Sequence, residues 1–123
     1  MRAVCALVLL ASLQAQAQAQ TVLLYSRIDA AQAHRAQQLA SLYGPAFIDK
    51  QLPAGALWRP AIASQICDAG VVLLLWSAHA AASEQVRREI DTALACRRPI
   101  VPVLLDATPL PGLVADINAI DWR

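Results

Sequence analysis

The chain has 123 residues, 15% of them charged and 58% apolar, with ten Lys and Arg against nine Asp and Glu. That length suits one domain with one core. The balanced charge, with no basic stripe and no acidic tail, argues against a nucleic-acid surface and against a solvating segment.

Residues 1–20 read as a signal peptide. Arg2 supplies the positive start, Ala3–Leu13 the apolar stretch, and Gln14–Gln20 an Ala/Gln tract with several A-x-A cleavage sites, best at Ala17-Gln18-Ala19. The apolar stretch is shorter than the ~20 residues that span a bilayer. The expectation is therefore an exported (periplasmic or secreted) domain of residues 21–123 with no stable membrane insertion. If the leader is only a mis-assigned start, the protein is cytoplasmic.

Thr21–Tyr25 is a short apolar run and the first strand. Asp29 is placed to cap a helix running to about Leu42, with Ala30, Ala33, Leu39 and Leu42 on its apolar side. Gly44-Pro45 stops that helix, and Ala46-Phe47-Ile48 is a brief second strand. Asp49–Leu57 is a loop broken by Pro53 and Gly55. Trp58–Cys67 reads as a helix that tolerates Pro60 in its first turn.

Val71–Trp76 is an apolar run long enough for a strand buried on both faces. Ser77–Ala82 is a turn of small residues. Ser83 opens the next helix, to Cys96, with Val86, Ile90, Ala93 and Leu94 as its stripe. Ile100–Leu105 is another strand, whose Pro102 demands an edge or an irregularity. Asp106–Gly112 is a Pro-rich loop, and Leu113–Ile120 holds a last helical turn and strand.

Strands alternating with helices imply a parallel sheet with right-handed crossovers. The chain stops at Arg123, where a doubly wound domain would add a closing helix, so a small member of that class is expected. Beyond the leader, Cys67 and Cys96 each fall near a helix end. They can bridge if those helices are neighbours; the simpler expectation is two small buried apolar residues. Neither a Cys-x-x-Cys nor a Cys/His cluster occurs, so no metal site is expected.

Read in order, these segments resemble a bacterial TIR (Toll/interleukin-1 receptor-like) domain over Thr21–Arg123. Val22–Asp29, VLLYSRID, is similar to the family's first strand and polar box. Phe47–Trp58 is similar to its D-x-x-L-x-x-G-x-x-W loop, with Asp49, Leu52, Gly55 and Trp58 in the spelled positions. Val71–Ile90, Arg98–Asp106 and Ala119–Arg123 resemble the third strand with its following serine and acidic helix, the fourth strand, and the terminal strand.

The resemblance implies a flavodoxin-like doubly wound sheet of order 2-1-3-4-5. It implies one of two functions: cleavage of the nicotinamide–ribose bond of NAD⁺, or assembly with other TIR domains without catalysis. It places the catalytic acid of the family's W-x-x-x-E motif at Glu89 and puts Gln85 where the motif has tryptophan. Self-association or pairing with other TIR domains is implied, through the loop carrying Asp49, Gly55 and Trp58. NAD⁺ would be a substrate, and no cofactor is expected; the chain lacks Gly-x-Gly-x-x-Gly.

The chemistry fits a lone carboxylate. Nicotinamide in NAD⁺ is cationic and leaves neutral, so the leaving group needs no acid, unlike a neutral glycoside with its two carboxylates. One Glu facing the ribose can stabilise the developing positive charge. Glu84 and Asp91 sit about 140° and 200° round the helix from Glu89 at ~100° per residue, so neither shares its face. With strand order 2-1-3 the crevice opens between strands one and three. Its rim would carry Ser26 and Arg27 after the first strand, Ser77 after the third, and Ser83 and Gln85 on the acidic helix. Leu52 would reach the substrate from the preceding loop. On residue pattern alone, Glu89 in Arg87-Arg88-Glu89 is an ordinary solvated helix position.

Overall fold

Val71–Trp76 forms the central strand, β3, and the sheet is built outward from it. The computed structural model describes residues 20–42, 44–48, 58–115 and 119–123. In chain order these form β1 (Thr21–Leu24), a 3-10 turn (Arg27–Asp29), α1 (Ala30–Ala40), β2 (Ala46–Ile48), α2 (Trp58–Cys67) and β3. There follow α3 (Ala78–Ala81), α4 (Glu84–Ala95), β4 (Ile100–Leu104), a 3-10 turn (Gly112–Val114) and β5 (Ile120–Asp121). All strands pair in parallel in the order β2-β1-β3-β4-β5, the doubly wound order the family resemblance implies. The small-residue stretch after β3 is not a plain turn, because Ser77 caps the short helix α3.

The two faces of the sheet are covered unequally. On one, Val22, Leu24, Val72, Leu74 and Ile100 pack against Ile62 and Ile66 of α2 and Val86, Ile90 and Ala93 of α4. A fully buried Val, Leu or Ile stabilises by about 1.5–3 kcal/mol, so this face holds most of the core. On the other, Leu23, Tyr25, Leu75 and Val103 pack with Ala33 and Ala36 of α1, and the partly buried Ala30 and Trp122 border them. The apolar side expected for α1 is correspondingly narrower: Leu39 is 46% and Leu42 77% exposed. Both lie along a groove of about 350 Å³ shared with Leu73, Val103, Ile120 and Trp122. Arg35 lies over the Trp122 ring, its guanidinium 5.1 Å from the ring centre.

Pro102 obeys the strand rule in a local way. β4 lies between β3 and β5, so it is not an edge strand. Yet among the described residues β5 pairs only with Val103 and Leu104. The Leu104 carbonyl accepts from Trp122 N on the β5 side, while Leu105 N donates to Trp76 O on the β3 side. Alternation then turns the position of Pro102's missing N–H toward β5, beyond where that strand pairs.

Cys67 and Cys96 form a disulfide, with Cα atoms 5.4 Å apart. The expectation of two unlinked apolar residues is corrected. Cys67 ends α2, Cys96 is the C-cap of α4, and the two helices pack side by side.

Asp106 opens the Pro-rich loop after β4. Its carboxylate accepts from Ala78 N and from Thr108 N, each at 2.9 Å. The Thr108 side chain first, then these backbone bonds, hold its carboxyl below the ordinary value of 3.8. A carboxyl depressed in the folded state contributes stability that is complete above its unfolded value and is lost as pH falls through its folded value. The Asp106 carboxyl should titrate with a midpoint below 3.8, and the Ala78 and Thr108 amide resonances should move with it in a pH series by NMR.

Candidate functional site

The sequence places a carboxylate inside an apolar stripe. Glu89 falls three residues after Val86 and four before Ala93, so it shares their helix face. The structure buries it with them: Glu89 is only 4% exposed. The solvated reading of Arg87-Arg88-Glu89 is thereby overturned, while Arg87 and Arg88 themselves are exposed. Arg88 makes the surface pair with Glu84, at 3.6 Å. Glu84 is exposed, as is Asp91, which leaves Glu89 the buried acid of its helix.

Three features set the position of Glu89. Ser83 caps α4, its hydroxyl accepting from Val86 N at 3.2 Å. Val86, Ile90 and Ala93 press the helix onto the sheet. The Cys67–Cys96 bridge ties the far end of α4 to α2. Between the two helices lies a cavity of about 360 Å³, lined by Ile62, Ala63 and Ile66 from α2 and by Gln85, Arg88, Glu89 and Thr92 from α4. Gln85 sits one turn before Glu89. Its side-chain Nε2 is buried and has no hydrogen-bond partner among the described residues. The hollow thus combines apolar walls with a carboxylate, an amide, a guanidinium and a hydroxyl, the make-up of concave small-molecule sites in general.

The residues expected at the strand ends form a separate polar knot. Ser77 Oγ donates to Asp29 Oδ2 at 2.5 Å and accepts from Ala80 N at 3.1 Å. Ser26 Oγ accepts from Ile28 N at 3.4 Å and caps the 3-10 turn. Asp29, Ser77 and Ser26 are all buried. Asp29 precedes α1 as expected but makes no side-chain cap; its carboxylate turns inward to Ser77 instead. The knot ties the ends of β1 and β3 together across the crevice. A Ser/Asp pairing 48 residues apart has no local pattern in the chain, which is why residue reading treats Asp29 as a cap.

Ser26, Arg27, Ser77 and Ser83 are not among the described residues that line the Glu89 cavity. Arg27 is exposed on the 3-10 turn. Asp49, Leu52 and Gly55 lie outside the described residues; Trp58 opens α2, and its side chain lies outside them too. Trp76 is a packing anchor, buried, with its indole N–H donating to Pro109 O at 2.9 Å. Among the described residues no group of three or more His, Cys, Asp and Glu could hold a metal. No described helix is long and apolar enough to cross a membrane.

Removing the Ser77 hydroxyl leaves the buried Asp29 carboxylate short of a donor. Ser77→Ala should cost roughly 1–3 kcal/mol, seen as a lower urea midpoint at unchanged m-value.

Comparison with known proteins follows the same lines. The TIR domain family matches residues 22–123. By structure the chain resembles the TIR domain of the Toll-related receptor TRR-2 from the lower metazoan Hydra magnipapillata. That likeness has a TM-score of 0.73 and 14% identity, over 83% of this chain and 82% of that one. It also resembles a 2-deoxyribosyltransferase from the psychrotolerant bacterium Bacillus psychrosaccharolyticus, with a TM-score of 0.65 and 13% identity, over 85% and 86% of the two chains. At these identities the likenesses speak to fold. No curated protein matches the chain by sequence. With the family match reaching into every strand of the described sheet, and the strand order agreeing, the chain belongs to the TIR domain family.

Proposed function

We propose that this TIR domain is a NAD⁺ glycohydrolase or cyclase; members of the family act in signalling or in NAD⁺ breakdown, and they associate with themselves or with one another. The observation that carries the reading is the burial of Glu89, the W-x-x-x-E position, against the α2–α4 cavity. In the reaction the bond from ribose C1′ to the pyridinium nitrogen breaks. Its electron pair goes to the nitrogen, so nicotinamide leaves neutral. The Glu89 carboxylate faces the cationic ribosyl centre. In hydrolysis, water adds to that centre and releases a proton, giving ADP-ribose; in cyclisation, a nucleophile of the same molecule takes the place of water. A buried carboxylate in an apolar hollow is stronger electrostatically than the same group in water. The 2-deoxyribosyltransferase of similar fold is named for deoxyribosyl transfer, which supports placing sugar chemistry on such a sheet.

The test is release of nicotinamide from NAD⁺ by concentrated protein, with Glu89→Ala measured beside it. Equal traces from the two would sink the enzymatic reading. A second reading, a non-catalytic module assembling through the Asp49–Trp58 loop, is favoured by one residue: Gln85 replaces the aromatic of the motif. Oligomerisation that persists in a Glu89→Ala protein with no base release in either form would favour that module.

We further infer export to an oxidising compartment after removal of residues 1–20. The disulfide supports this reading, because such bridges persist outside reducing cytosol. Mass measurement of the exported protein's N-terminus tests it: a start near Gln20 or Thr21 is expected, and retention of Met1 would overturn it.

A further inference from the structure

Gln85 occupies a costly position. A buried amide donor without an acceptor forfeits the hydrogen bond it would make to water in the unfolded chain. Among the described residues the Nε2 of Gln85 is in that state, while the cavity around it is lined by Glu89, Thr92, Arg88 (paired with Glu84) and the apolar Ile62, Ala63 and Ile66. Solvent does not reach the Nε2 atom, and Glu89, one helical turn away, is not its acceptor. An acceptor brought by a ligand would remove the cost.

The surroundings restrict what kind of ligand that is. The α2 wall offers apolar surface to a ring face. The carboxylate favours a ligand carrying positive charge or hydroxyl donors. The amide, on the same helix face, needs an acceptor oxygen within reach of that same ligand. A pyridinium ring with a carboxamide meets all three demands.

Resting on the NAD⁺ reading above, we infer that Gln85 is a specificity-determining residue whose Nε2–H donates to the carboxamide oxygen of the departing base. The cavity thus selects bases by an edge hydrogen bond, where the family's aromatic would select by stacking. Stacking accepts any flat ring; a single donor discriminates between rings with and without an acceptor.

The experiment uses two probes, nicotinamide and pyridine, titrated separately into ¹⁵N-labelled protein. The Gln85 side-chain amide resonances should move with nicotinamide and stay still with pyridine. Nicotinamide should bind roughly fivefold to tenfold more tightly than pyridine, the size of one neutral hydrogen bond. Gln85→Met keeps the length and removes the donor, and it should bind the two probes alike. Its unchanged circular dichroism would confirm that the fold is kept; Gln85→Leu serves if it is not.

The inference is overturned if the Gln85 amide stays still at saturating nicotinamide. It is equally overturned if the donor-less variant keeps the preference, or if neither probe binds. The fate of the NAD⁺ reading is scored separately by base release. Release without a Gln85 response sinks the inference and keeps the enzyme. A Gln85 response without release does the reverse.

Discussion

Glu89→Gln is expected to lower nicotinamide release by about two to three orders of magnitude while leaving the fold in place. The two side chains have nearly the same volume, so the packing of α4 on the sheet is retained. On the proposed mechanism, what changes is the field at the ribosyl centre, because a carboxylate becomes a neutral amide. The charge acts in a site only 4% exposed, where water screens it weakly. Glu89→Ala should lose as much activity and, in addition, leave a void beside Ile62 and Ile66. The pair of variants separates electrostatics from packing. Loss in both, with thermal midpoints of Glu89→Gln near the parent, is the expected pattern. Activity retained in Glu89→Gln would mean that shape and not charge is what the position supplies.

Breaking the disulfide should have the largest effect on stability. Cys67 and Cys96 are 29 residues apart, and closing a loop of that length restricts the unfolded chain by about 3.5 kcal/mol. For a domain of this size that corresponds to a fall of roughly 15–25 °C in thermal midpoint. A Cys67→Ser, Cys96→Ser protein and the reduced parent should agree, since both remove the same constraint. A shift below about 1 kcal/mol in both would show that the unfolded chain is already held compact there. The bridge also bears on the site. It joins the ends of the two helices whose facing sides form the Glu89 cavity. Base release measured well below the lowered midpoint should therefore still fall in the double variant, because α2 and α4 are free to shift against each other.

Much of the fold is legible in the chain before any coordinate. Val71–Trp76 is too apolar to be anything but a strand covered on both faces, and the Ser83 cap and Pro99 bound the helix after it. Pro102 points to an unpaired place in β4, although only the register of β5 shows where that is. Other features stayed hidden for identifiable reasons. Asp29 has the spacing of a cap, and a carboxylate's long-range partner leaves no trace in its own neighbourhood. Leu39 and Leu42 keep helical spacing, yet no helix besides α1 among the described residues covers that side of the sheet. Glu89 was the most informative residue and the easiest to misjudge. Its flanking arginines suggest a wet surface, whereas its phase with Val86 and Ala93 says that it is interior. Phase is the better guide, since a helix face is buried as a unit.

The position of Pro102 has a further consequence for solubility. Between Ile100 and Pro102 the outer flank of β4 runs beyond the described pairing with β5, a place where a foreign polypeptide could in principle zip on. Proline offers that intruder no donor, so a continuous ladder is broken after a single rung. The outermost strand contributes only two residues, and Arg123 clasps Asp121 there at 2.9 Å, holding its carboxyl down to about 2. A charge that stays ionised through nearly all of the acid range, next to a missing donor, makes this margin a poor template for fibril growth.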